Sequence, residues 1–104
     1  MKVYLIYKRN KDKNKKDVFM SFHTNKKFTE FAIWLYDDVY ITESDMTESE
    51  YNKFRSLNDD KELMMYRHHM HVGCIILRKR DYKRLLASSD AVIEMKGIIN
   101  DYIK

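Results

Sequence analysis

The chain has 104 residues, of which 44% are hydrophobic and 13% aromatic, and it carries a formal net charge of +4. This length predicts one domain over residues 1–104, and the aromatic content excludes a disordered chain, which would lack the apolar side chains that offset ordering entropy. Its one cysteine, Cys74, excludes an internal disulfide. No apolar run reaches the roughly 20 residues that a bilayer requires, and no signal-peptide pattern opens the chain, so we expect a cytoplasmic protein without a membrane segment.

Two runs rich in β-branched and aromatic residues predict a pair of strands at the start of the chain. Residues 3–7 are apolar on both faces, which favours a central strand, and residues 17–23 predict the second strand of a hairpin. Their connection contains neither Asn-Gly nor Asp-Gly, so it predicts a long, mobile loop instead of a two-residue turn. This region holds the first of two basic clusters, Lys8, Arg9, Lys11, Lys13, Lys15 and Lys16.

Apolar residues at helical spacing predict a helix over residues 26–37 that packs on the sheet. Thr24 or Asn25 precedes this segment, and either side chain suits a helix cap. The packing face is predicted to consist of Phe28, Phe31, Ala32, Leu35 and Tyr36.

The acidic middle of the chain predicts a short strand followed by a short helix. The strand is expected at residues 39–42. Thr47 and Glu50 then have the spacing of a capping box, in which the threonine oxygen accepts the amide proton of the third helical residue and the glutamate reaches back to the Thr47 amide. The apolar stripe of the helix is predicted to consist of Tyr51, Phe54 and Leu57.

A long apolar stretch at residues 63–77 predicts the centre of a sheet. A break near residues 71–73 indicates either a bent strand or two paired strands. Two helices are expected next, one over residues 81–87 with Asp81 as its cap, and one over residues 91–103. The last helix is predicted to have Ser88, Ser89 and Asp90 as its caps and to bury Val92, Met95, Ile99 and Tyr102.

The element order β-β-α-β-α-β-(β)-α-α with short connections predicts an α+β fold. We expect a small antiparallel sheet of about 3–5 strands, with the helices packed mainly on one face.

The second basic cluster predicts a binding site for an anion. Lys83 and Arg84 are expected in the first turn of a helix, where the macrodipole disfavours each positive charge by about 0.3–1 kcal/mol. A phosphate, or an acidic patch on a partner, would reverse that cost, whereas the alternative is a solvated basic turn. The cluster consists of Arg78, Lys79, Arg80, Lys83 and Arg84.

Three histidines, His68, His69 and His71, are candidate metal ligands or acid–base groups. Alternation along a strand would place His69 and His71 on one face and His68 on the other. Two imidazoles fall short of the three protein ligands of a catalytic zinc, and His23 would have to lie across the sheet to supply the third. We therefore expect neither a metal nor another cofactor, and we interpret Cys74 as a small buried core residue.

No motif defines an activity, so the sequence favours a small non-catalytic protein that acts by binding. Residue usage typical of AT-rich coding sequences suggests a phage-type accessory protein that binds and modulates a host protein, such as a nuclease or a defence complex. We expect a monomer or homodimer in the host cytoplasm whose partner has an acidic surface. The alternatives are a nucleic-acid-binding protein that uses both basic clusters and a histidine-dependent nuclease.

Overall fold

A three-stranded antiparallel sheet organises the first half of the chain. The computed structural model describes residues 1–34, 36–67 and 74–103. Its first sheet has the strands β1 (Lys2–Lys8), β2 (Val18–His23) and β3 (Val39–Asp45), with β1 in the centre. The predicted hairpin and the central position of the first strand are confirmed, and β3 extends further than the predicted residues 39–42.

The remaining elements follow in the predicted order and confirm the α+β class. They are α1 (Lys26–Ile33), α2 (Glu48–Leu57), a 3-10 turn (Asp59–Lys61), β4 (Leu63–Arg67), β5 (Cys74–Arg78), α3 (Lys79–Ala87) and α4 (Ala91–Ile103). Strands β4 and β5 pair as a separate antiparallel sheet, which confirms the alternative of two paired strands; the predicted break at residues 71–73 lies outside the described residues. No helix in the described ranges has the length and apolar character needed to cross a membrane.

Two apolar clusters hold the sheets and helices together. The first contains residues of both sheets and of α1, namely Ile6, Ala32, Leu63 and Ile76. The second joins β5 to the last two helices and consists of Leu77, Leu85, Met95 and Ile98. Because the first cluster includes residues of both β1 and β5, close packing fixes these two strands relative to each other.

Phe22 of β2 anchors α2 to the first sheet. Its side chain is fully buried, and its ring centroid lies 4.9 Å from that of Phe54 and 6.4 Å from that of Tyr51. Phe22 pairs with Leu5 across the sheet, so both lie on the face opposite Ile6. Helix α1 therefore packs on the Ile6 face, and α2 contacts the other face through its aromatic side chains.

The capping box at the start of α2 is confirmed. Thr47 Oγ1 accepts the backbone N–H of Glu50 at 3.1 Å, and Glu50 Oε1 accepts the backbone N–H of Thr47 at 3.1 Å. Hydrogen bonds from the Thr47 backbone and side chain to the Glu50 carboxylate hold the pKa of Glu50 below its usual range, because both favour the ionised form. A capping box depends only on two residues of the right type three positions apart, which is why the sequence predicts it.

Helix α1 is shorter than its apolar spacing predicts. Asn25 is the cap, and its side-chain oxygen accepts a backbone N–H of the first turn at 3.0 Å. The helix ends at Ile33, about one turn before the predicted end. The chain then turns into β3 through Asp38, whose φ of 58° lies in the left-handed region that aspartate tolerates. Phe31 is 46% exposed, so its predicted place in the packing face is wrong, and Leu35 lies outside the described residues.

The face of α4 that packs on the core contains two of the predicted residues, Met95 and Ile99, and also Ile98. Asp90 Oδ1 accepts two backbone N–H groups of the first turn at 3.2 Å, which confirms its capping role. Met95 and Ile98 are buried three residues apart, whereas Val92 is 36% exposed. The packing of α3 against α4 selects this face. The side chain of Tyr102 lies outside the described part of the chain.

Candidate anion-binding site

Helix α3 begins earlier than predicted, and this moves the second basic cluster. The helix starts at Lys79, with Arg78 at the cap position, so the prediction of Asp81 as the cap is wrong. Asp81 lies inside the first turn, is 4% exposed, and its Oδ2 accepts a hydrogen bond from Arg78 Nε at 3.3 Å. Lys83 and Arg84 consequently lie beyond the first turn, and the predicted macrodipole penalty does not apply to them.

One small pocket brings together basic side chains from both clusters. It has a volume of about 150 Å³ and lies between the end of β1, the start of α3 and α4. The carboxylates of Asp81 and Asp101 also line it. Its four basic lining residues are Lys8, Arg78, Arg80 and Arg84. Cations thus outnumber carboxylates in the lining, which gives the pocket a net positive charge.

Two of the four basic residues in the pocket are held by internal carboxylates. One forms the pair with Asp81 described above, and the other, Arg84, contacts Glu94 of α4. Arg80 has a 61% exposed side chain, and its Nε lies 3.9 Å from Asp81 Oδ1, the outer limit of an ion pair. Lys8 has no ion pair within the described residues. Lys8 and Arg80 are therefore the two cations best placed to meet an external anion.

The other two residues of the second cluster lie outside the pocket. Lys79 Nζ donates to the carboxylate of Asp59 and lies 4.0 Å from Glu62 Oε2. The bond from Lys79 holds the pKa of Asp59 below its usual range. The backbone N–H of Lys79 also donates to the Glu62 carbonyl at 2.7 Å, which fixes the start of α3 next to the 3-10 turn. Lys83 is exposed on α3, away from the pocket lining.

The loop between β1 and β2 displays the remaining lysines of the first cluster. Its backbone is folded by side-chain oxygens: Asn10 Oδ1 accepts the N–H of Asp12, and Asp12 Oδ1 accepts the N–H of Asn14, both at 3.0 Å. Asx turns of this kind replace the Asn-Gly chemistry that the sequence lacks. The exposed lysines of this loop are Lys11, Lys13, Lys15 and Lys16.

Three aromatic rings cross the first sheet beside this loop. Tyr7 lies opposite both Phe19 and Tyr40 in the register, with centroid distances of 5.6 Å and 5.8 Å. Arg9 lies 4.9 Å above the Tyr40 ring, and Lys61 Nζ lies 5.0 Å above the Phe19 ring. All three rings are half-buried, and alternation along β1 places them on the face opposite the pocket. We refer to Tyr7, Phe19 and Tyr40 as the aromatic row.

Asp17 positions the outer ring of the aromatic row. The Tyr40 hydroxyl donates to Asp17 Oδ2 at 2.5 Å, and this bond lowers the pKa of Asp17 and raises the pKa of Tyr40. Tyr7, Phe19 and Tyr40 each lie on a strand that the sequence predicts, but no sequence pattern groups the three rings. Only the strand register could have grouped them, and hydrophobic alternation within one strand does not define the register between strands.

The histidine hypotheses remain predictions. His68, His69 and His71 lie outside the described residues. His23 helps to hold the turn before α1, because its Nδ1 accepts the backbone N–H of Asn25 at 2.9 Å. Burial lowers the pKa of His23. In residues 1–34, 36–67 and 74–103, no group of three or more His, Cys, Asp or Glu side chains could hold a metal ion. Cys74 is only half-buried at the start of β5, in place of the full burial that its apolar neighbours predicted.

The fold and these surfaces define a small α+β protein with a basic end. We define the basic end as the pocket, the loop at residues 9–17 and the aromatic row, all of which lie where β1 ends. Comparison with protein families, with curated proteins and with solved structures found no match. The function is therefore inferred from the chemistry of the basic end.

Proposed function

We propose that this protein is a non-catalytic binding protein that holds nucleic acid on its basic end. The observation that carries the proposal is the meeting of the two basic clusters: Lys8 lies with Arg78, Arg80 and Arg84 around one pocket, next to the exposed lysines of the loop. A nucleic acid presents phosphates at regular intervals along its backbone. One strand could therefore place a phosphate near the pocket while its neighbours contact the loop.

The distribution of charge favours an extended polyanion over a single small anion. Residues 8–17 contain six basic and two acidic residues, and the basic side chains of the loop point into solvent. The pocket and the adjacent loop together present many cations over one continuous surface, which favours a ligand with charge along its length.

Removing the two available cations of the pocket is expected to weaken this binding. We expect the double variant Lys8→Ala with Arg80→Ala to bind a single-stranded DNA of about 10 nucleotides less tightly. The slope of log K against log salt concentration should become shallower by about 1.4, because each lost phosphate contact to a single strand contributes about 0.7. Fluorescence anisotropy across a salt series measures both quantities.

The matched control removes the same charge at the other end of the sheet. Lys2 and Lys26 lie 3.5 Å and 3.9 Å from the Glu43 carboxylate, and Lys2 is about 20 Å from Lys8 along β1. The double variant Lys2→Ala with Lys26→Ala should keep the wild-type slope. Absence of binding at low salt, or the same loss in both double variants, would contradict the proposal.

A second candidate function is binding to another protein through an exposed aromatic pair. Trp34 is 78% exposed and Phe31 is 46% exposed, and their ring centroids lie 6.2 Å apart. Tryptophan and other aromatic residues are enriched in the buried centres of protein interfaces. This pair supports binding to another protein. That role agrees with the function that leads on sequence grounds, a phage-type accessory protein that modulates or inhibits a host nuclease or defence complex.

Affinity capture from a bacterial lysate tests the second candidate. Wild type, Trp34→Ala and Leu57→Ala serve as baits, because Leu57 is an apolar residue with 74% exposure at the end of α2. We expect a specific partner to be retained by the wild type and by Leu57→Ala and lost by Trp34→Ala. A protein captured equally by all three baits would count against this surface.

A further inference from the structure

We propose that the aromatic row is a stacking platform for the bases of a single-stranded nucleic acid. This inference rests on the proposed function and names the form of the ligand. Tyr7, Phe19 and Tyr40 contribute one ring from each strand of the first sheet, and neighbouring rings lie 5.6 Å and 5.8 Å apart. Phe19 also contacts Phe54 of α2 at a centroid distance of 5.9 Å, so the helix backs the inner end of the row. Tyr7 and Tyr40 are therefore the rings on which unpaired bases can stack, as bases do on aromatic rings of other sheet faces.

The outer ring of the row lies at the edge of the sheet, with the Arg9 guanidinium over it. Strand β3 forms one edge of the three-stranded sheet, so no strand in the described residues covers the outer side of Tyr40. Its hydroxyl is tied to Asp17 at 2.5 Å, which orients the ring without covering its face. A base can therefore approach Tyr40 from the edge of the sheet.

Cations at both ends of the row suit the phosphates that accompany each base. Arg9 lies 4.9 Å from the Tyr40 centroid, and Lys61 lies 5.0 Å from the Phe19 centroid. Stacking of a base on an aromatic ring is stronger than one exposed cation–π contact, so a base can replace the Arg9 guanidinium on the ring. The displaced guanidinium is then free to pair with the phosphate next to that base.

The geometry favours single strands over duplexes. In a duplex the faces of the bases are already stacked on their neighbours, whereas a single strand can turn its bases onto protein rings. The lysines of the adjacent loop, from Lys11 to Lys16, supply the sequence-independent attraction along the backbone. Stacking and backbone attraction together make a sequence-tolerant site for a few nucleotides.

Two substitutions at Tyr40 separate stacking from its other roles. Tyr40→Leu removes the ring and keeps an apolar side chain, whereas Tyr40→Phe keeps the ring and loses only the bond to Asp17. For an oligothymidylate of about 10 nucleotides, we expect Tyr40→Leu to weaken binding roughly 5-fold to 150-fold. Tyr40→Phe should bind as the wild type does. Circular dichroism of both variants verifies that the sheet is folded.

A polyanion without bases distinguishes failure of the platform from failure of the proposed function. Inorganic polyphosphate should bind the wild type and both Tyr40 variants equally, because it has no bases that could stack on the ring of residue 40. If Tyr40→Leu binds the oligothymidylate as tightly as the wild type, or if a duplex of the same length binds as tightly as the single strand, the platform is overturned while polyanion binding stands. If neither polyphosphate nor oligothymidylate binds the wild type, both proposals are overturned.

Discussion

Replacing Phe22 by alanine is expected to lower the free energy of unfolding by about 3–5 kcal/mol, the usual cost of removing a fully buried phenylalanine. The side chain is 0% exposed, and its ring contacts those of Phe19, Tyr51 and Phe54 at centroid distances between 4.9 Å and 6.4 Å. Helix α2 has no fully buried residue of its own, so its attachment to the sheet depends on this ring. The variant therefore leaves a cavity and also loosens α2.

Urea denaturation followed by circular dichroism measures this effect, with Phe31→Ala as the matched control. The control makes the same chemical change at a side chain that is 46% exposed, so its cost should stay below about 1 kcal/mol. Domains of this kind are stable by about 5–15 kcal/mol in total, so Phe22→Ala should be unfolded at much lower urea concentrations than the control. Equal midpoints for the two variants would show that Phe22 does not anchor the fold.

Replacing Asp81 by alanine is expected to lower the free energy of unfolding by about 3 kcal/mol, the low end of the range for breaking a buried ion pair. Asp81 is 4% exposed, and its carboxylate lies 3.3 Å from Arg78 Nε. The side chain of Arg78 is itself only 19% exposed, so removing the carboxylate takes an ion-pair partner from a largely buried guanidinium. The loss therefore exceeds that of an ordinary surface pair.

Glu94→Ala is the matched control, because it removes a carboxylate from the more exposed pair with Arg84. The side chains of Arg84 and Glu94 are 47% and 29% exposed, so we expect a cost of at most about 1 kcal/mol. Asp81→Ala should also bind single-stranded DNA more tightly at temperatures where it is folded, since one negative charge leaves the pocket. A variant as stable as Glu94→Ala would contradict the structural role assigned to Asp81.

Much of the fold was predictable because it depends on interactions between residues close together in sequence. Thr47 and Glu50 lie three residues apart, and their capping box follows from that spacing. The capping role of Asn25 and Asp90, the central strand and the order of elements follow in the same way from local patterns. Predictions failed where packing overrides local preference. Asp81 resembles a helix cap in sequence, but burial against Arg78 places it inside the helix.

The sequence by itself determined the class of fold, the order of its elements and the two clusters of positive charge. Only the tertiary structure decided which charges meet, because Lys8 and Arg80 reach the same pocket through the packing of β1 against β5. It also decided that the rings of the aromatic row lie side by side, because Tyr7 and Tyr40 become neighbours only in one strand register. The physical reason is the same in both cases. Contacts between residues distant in sequence form when the burial of apolar side chains brings distant segments together, and no local spacing specifies these contacts.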